Sequence, residues 1–175
     1  ELEDRAAQLE TISSVARSIA SVQNMEDLLP AVTQLASEKF GYYHVGIFLL
    51  DENREFALLR ATNSEGGLKM LNRQHKLKLD TNSIVGFAAS RREPRIALDV
   101  GADAVFFDNP DLPMTRSEMA LPLRVGGRVI GALAFGTFTR ERTWPPELVS
   151  RLGVMATVFA GALARKQGEQ DLRAA

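Results

Sequence analysis

Between Phe106 and Phe135 an aromatic and polar loop runs straight into two apolar segments, and this stretch holds most of the residues suited to recognising a small molecule. Phe106 and Phe107 offer aromatic walls that exclude water and stack on planar groups. Asn109 and Ser117 supply directional hydrogen bonds, Arg116 can grip an anion through two parallel bonds, and Thr115 and Glu118 stand beside them. Each has a structural alternative. Asn109-Pro110 can serve only to turn the chain, the two phenylalanines can fill a second small core, and Arg116 can pair with Glu118 or Asp108. Two residues outside the loop join the candidates. His75 can face a pocket, coordinate a haem iron, or lie in solvent, and Ser83 can either cap a helix or help present free backbone amides to an anion. His44 heads an apolar run and is less suggestive.

Many other chemistries find no support. The chain has no cysteine, which removes disulfides, thiolate nucleophiles and cysteine-rich zinc sites together. Two widely spaced histidines do not make a metal centre, and Asp99, Asp103, Asp108 and Asp111 lack the spacing of a calcium loop. The phosphate-binding, nucleophile-elbow, zinc-protease and dinucleotide signatures are all missing, so the chain is expected not to be an enzyme. With 21 basic against 22 acidic residues there is no global field to attract nucleic acid or a membrane surface. No apolar run approaches the roughly 20 residues needed to cross a bilayer. A cytoplasmic setting is expected.

Those candidates need elements to hold them, and hydrophobic periodicity supplies them. Leu2, Leu9, Ile12, Ala16 and Ile19 mark one stripe of a first helix. Asn24 and Asp27 cap a second helix that ends at Gly41, with Pro30 expected to kink its first turns or delay its start. Val45 to Leu50 reads as a strand covered on both faces, and Arg54 to Thr62 as its antiparallel neighbour. Asn63 to Gly67 reads as an open loop, Gln74 to Leu79 as a short strand, and Ile84 to Ala88 as a helix capped by Asn82 or Ser83 and closed by Pro94. Arg95 to Val100 is a further strand. Met119 to Val125 and Val129 to Phe138 flank Gly126-Gly127, the pair a tight hairpin turn demands. Thr143 to Glu147 starts a last helix that is apolar nearly all round, and such a helix needs two partners, the sheet and a second subunit. The sum is an α+β fold with one central, mostly antiparallel sheet of about six strands.

The apolar strand Met119 to Val125, the Gly127-Arg-Val-Ile-Gly131 strand and the Thr115-Arg-Ser-Glu118 loop resemble the GAF domain family. His44 to Asp51, Ser83 to Phe87 and Pro94 to Asp99 support the resemblance in the same order along the chain. It implies terminal helices on one face of the sheet, with a short helix and loops on the other enclosing a small-molecule pocket. The implied pocket residues are Phe106, Phe107, Asn109, Thr115, Arg116, Ser117 and Glu118, with His75 and Ser83 nearby. The family's methionine sulfoxide reductases work through cysteines and its bilin photoreceptors usually attach pigment through one, so neither is expected here. The motif of its cyclic-nucleotide binders is not recognisable, and the cofactor stays unknown.

The division expected is a signalling helix over 1–23, a GAF-like domain over 24–164 and a linker helix over 165–175, within a fragment flanked by other domains. The expected function is non-enzymatic sensing of an unidentified small molecule in a bacterial signalling protein. It would act as a homodimer through its terminal helices, fused to an output domain such as a histidine kinase or transcriptional regulator. The alternatives are a ligand-free dimerisation and relay module, and a haem-type sensor using His75.

Overall fold

The computed structural model describes residues 2–40, 44–80, 82–97, 117–137 and 146–174. Helices α1 (Leu2–Ser21) and α2 (Met25–Phe40) come first, and Asn24 in the turn between them is the N-cap of α2. Asn24 Oδ1 accepts from the Asp27 amide at 2.9 Å, and Asn24 Nδ2 donates to the Asp27 carboxylate at 2.8 Å. The cap forms as the sequence suggests, yet Pro30 does not delay the helix: α2 starts at Met25 and runs through it. Pro30 lies on the exposed side, where water can take the carbonyl that its missing N–H leaves unpaired.

Six antiparallel strands follow: β1 (His44–Leu50), β2 (Phe56–Thr62), β3 (Lys76–Lys78), β4 (Arg95–Ala97), β5 (Ser117–Val125) and β6 (Arg128–Thr137). They form one sheet in the order β3-β2-β1-β6-β5-β4, so the expected α+β architecture is the observed one. Gly126 and Gly127 turn β5 into β6 with φ of 57° and 78°, a pair of left-handed residues that only glycine adopts without strain.

One stretch departs from the expectation. Residues 63–67 are no open loop; they start a helix, α3 (Glu65–Asn72). Ser64 caps it by accepting from the Gly67 amide at 2.9 Å. Two consecutive glycines disguise this turn in the sequence, and Gly67 is there for space, since a Cβ would overlap the Thr62 hydroxyl. At the other end the His75 amide reaches the Met70 carbonyl and the Gln74 amide the Leu71 carbonyl, with Gln74 in the left-handed region at φ 58°. That hydrogen-bond pair is a Schellman stop, and it delivers His75 to the edge of β3.

The sheet separates two cores. On one face Val15, Ile19, Leu28 and Val32 of α1 and α2 meet Val45, Ile47, Met119, Leu121, Leu133 and Phe135, together with Leu152, Met155, Phe159 and Leu163 of α5 (Pro146–Ala174). On the other, Phe48, Leu59, Ala120, Ala132 and Ala134 meet Met70 of α3 and Ile84, Val85 and Ala88 of α4 (Ile84–Arg91). Helix α5 is long and apolar enough by length and composition to cross a bilayer, contrary to the reading that no segment approaches that length. Its stripe of fully buried side chains packs on β5 and α1 instead, which is how the core helix of a folded domain meets the same criterion.

Candidate functional site

Alternation along β1 sends Val45, Ile47 and Leu49 to the terminal helices and His44, Gly46, Phe48 and Leu50 to the opposite face. Strand pairing extends that face sideways. Thr62, Gly46, Ala134 and Ala120 form one row across β2, β1, β6 and β5, and His44, Gly136, Glu118 and Ala97 form the next row across β1, β6, β5 and β4. Between the polar ends of these rows every residue is glycine or alanine. His44 and Glu118 therefore stand two strand spacings apart, roughly 10 Å, with only Gly136 between them. Helix α4 crosses above this floor and leans Ile84, Val85 and Ala88 onto it.

Most of the rim's polar groups are buried, Glu118 being half-buried. His44 is only 5% exposed, and its Nδ1 lies 2.7 Å from the Ser64 hydroxyl. Ser64 Oγ accepts from the Gly67 amide and also bonds His44 Nδ1, so one hydroxyl ties the imidazole to the first turn of α3. Nε2 stands over Gly46, 3.4 Å from the position a Cβ there would occupy. Burial, reinforced by the charge of nearby His75, lowers the His44 pKa to about 4, so the ring is a neutral N–H donor at physiological pH. His75 is 6% exposed and meets the Phe48 ring edge-on with centroids 6.1 Å apart. The Thr62 hydroxyl oxygen, one row from His44, is buried and has no hydrogen-bond partner among the described residues. No three His, Asp or Glu side chains converge as a metal site among those residues.

Of the residues singled out from sequence, His75 and Glu118 share this face, while Ser117 alternates with Met119 and Leu121 toward the terminal helices. Ser83 is the cap of α4, its hydroxyl accepting from the Gly86 amide at 2.9 Å. Phe106, Phe107, Asn109, Thr115 and Arg116 lie outside the described residues. Sequence reasoning passed over His44, Thr62 and Ser64. The signal was available for His44, whose spacing from Gly46 and Phe48 puts all three on one face.

A model of the GAF domain matches residues 22–164. No curated protein matches the chain. Among solved structures, the GAF domain of a phosphoenolpyruvate-protein phosphotransferase from Coxiella burnetii superimposes with a TM-score of 0.83 at 18% identity, covering 95% of this chain and 98% of that one. The corresponding domain from Acinetobacter gives 0.78 at 22% identity, covering 92% and 95%. The free methionine-R-sulfoxide reductase of Neisseria meningitidis, solved with its substrate, gives 0.78 at 18% identity, covering 93% and 91%. Several such reductases share the fold, which corrects the flat exclusion of enzymes drawn from the sequence. Missing motifs and missing cysteines exclude particular chemistries, thiol chemistry first, and not catalysis as a class. The chain belongs to the GAF domain family, whose domains are regulatory or sensory as well as enzymatic.

Proposed function

We propose that this domain is a dimeric sensor of a small polar molecule in a bacterial, cytoplasmic signalling protein, with the face opposite the terminal helices as its binding site. The observation that carries the reading is the small-residue floor of Gly46, Ala120, Ala132, Ala134 and Gly136, edged by buried His44, the buried Thr62 hydroxyl and half-buried Glu118. A floor without bulk suits a ligand lying close to the sheet, and the Thr62 hydroxyl, buried and without a partner among the described residues, would give it a directional bond at the edge. The loop residues Phe106, Phe107, Asn109, Thr115 and Arg116 would close the site.

Helix α5 packs on β5 from the reverse face and α1 packs on α5, so a shift of β5 on binding would reach α5 directly and α1 through it. The two-state element would be the dimer, with α5 presenting Val154 and Val158, 59% and 36% exposed, to its mate. A histidine kinase or a transcriptional regulator would be the output, and the phosphotransferases among the structural neighbours extend that choice. The relay reading, with no ligand, has one observation in its favour: Ala120, Ala132 and Ala134 are already sealed to within 2% exposure.

Native mass spectrometry of freshly purified protein separates the two. A dimer carrying a discrete extra mass is the expected result. A bare dimer would favour the relay, and a bare monomer would contradict both.

A further inference from the structure

The end of the sheet far from His44 carries a different chemistry. There the β5–β6 turn, the β1–β2 turn and the α4–β4 connection meet, and they bring exposed Arg91, Arg92, Arg124 and Arg128 to one edge. The Arg124 guanidinium donates to the Arg92 carbonyl, which ties the end of α4 to β5 and fixes two of the four positions relative to each other. Arg91 leans on the Phe87 ring at 6.0 Å from its centroid. Arg54, in the neighbouring turn, donates to the Val129 carbonyl at 2.9 Å and holds that turn against β6.

Arg92 shares its backbone conformation with Gln74, the other left-handed residue at a helix end. Arg92 caps α4 in the left-handed region, with φ 60° and ψ 34°, where glycine is the ordinary residue and any side chain costs stability. Arg54 has the same strained conformation, at φ 57°, but its bond to Val129 accounts for the side chain. Arg92 makes no comparable contact among the described residues; what it adds at that cost is a guanidinium pointing into water beside two or three others.

We propose that Arg91, Arg92, Arg124 and Arg128 form a docking surface for a short acidic segment of a partner protein. Guanidiniums pair with carboxylates in two-pronged geometry, and four of them suit a segment with two or three acidic side chains. The surroundings limit its length. Glu93 and the acidic turn of Asp51, Glu52 and Glu55 flank the cluster and repel any anion that extends past it, so the segment has to be short, with its carboxylates confined to the guanidiniums. The surface lies at the opposite end of the strands from the proposed ligand site and stands whether or not that site is filled.

The test is fluorescence anisotropy at low salt, on the full chain, with a labelled peptide that carries three consecutive glutamates between neutral glycine and serine residues. The expected result is saturable binding that the double variant Arg92→Gly/Arg128→Ser weakens by about three- to tenfold, as loss of two exposed charge pairs implies. Arg92→Gly alone is expected to raise the Tm while weakening the peptide, because glycine takes the left-handed cap without strain. Absence of binding, equal affinity in the double variant, or tighter binding of a single-stranded oligonucleotide of equal charge would overturn the proposal.

Discussion

As pH falls from 6.5 toward 4, the domain is expected to lose about 3 kcal/mol of stability through His44 alone, the product of its pKa gap and about 1.4 kcal/mol per unit. The sign follows from proton counting. In that window the unfolded chain binds a proton on this histidine and the folded chain does not, so each step down in pH favours unfolding; above 6.5 the full contribution is present. Burial is the larger cause of the lowered pKa and the His75 charge the smaller, so the titration belongs partly to the pair. His44→Gln has no imidazole to titrate and is expected to flatten the stability curve between pH 6.5 and 4. Urea denaturation of both proteins across that range checks it. Carboxylates titrate in both, and their contribution cancels in the difference. Parallel curves would show that His44 is not the buried neutral group described here.

Phe159→Ala is expected to cost about 3–5 kcal/mol, a large share of the roughly 5–15 kcal/mol typical of a whole domain. Phe159 is fully buried in the core between α5 and the sheet, among Leu152, Met155 and Leu163. The loss should be the same at every protein concentration, because the cavity forms within one subunit. Its neighbour Val158 faces outward, and the double variant Val154→Asp/Val158→Asp should behave in the opposite manner. The monomer's stability should change little, while the rise of Tm with protein concentration expected of a dimer disappears. Thermal unfolding over a hundredfold range of concentration distinguishes the two faces of α5. A concentration-independent Tm in the unaltered protein would remove the dimer from the account, and a loss below about 1 kcal/mol in Phe159→Ala would contradict the packing.

What could be read from the chain divides along physical lines. The β5–β6 hairpin was legible because Gly126-Gly127 supplies two left-handed residues in succession, a local requirement with few sequence solutions. The caps at Asn24 and Ser83 were legible for the same reason, each being decided within three residues. Helix α3 was not, because glycines normally argue against a helix, and the reason for Gly67 lies in Thr62, on the preceding strand. The significance of His44 depends on Ser64, twenty residues away, and on burial under elements that periodicity cannot assemble. Ser117 shows the converse. Period-two counting back from Met119 places it toward the terminal helices, but its position beside Arg116 and Glu118 in the loop motif suggested the pocket. Pro30 was read as kinking the first turns of α2 or delaying its start, and the helix instead begins at Met25 with Pro30 inside it on the exposed side. The widest misjudgement concerned catalysis, where missing motifs were taken to exclude a class of function that the same fold supports in its reductases.

The most direct test of the ligand site is a methyl NMR spectrum of protein labelled at the alanine methyl groups, recorded during titration with a library of small polar metabolites. Alanines mark both faces of the sheet: Ala120, Ala132 and Ala134 on the proposed floor, and Ala156, Ala160 and Ala162 in the core beneath the terminal helices. The prediction is that a bound compound moves Ala120, Ala132 and Ala134 most. Shifts confined to Ala156, Ala160 and Ala162, or a library that leaves every methyl unmoved, would contradict it.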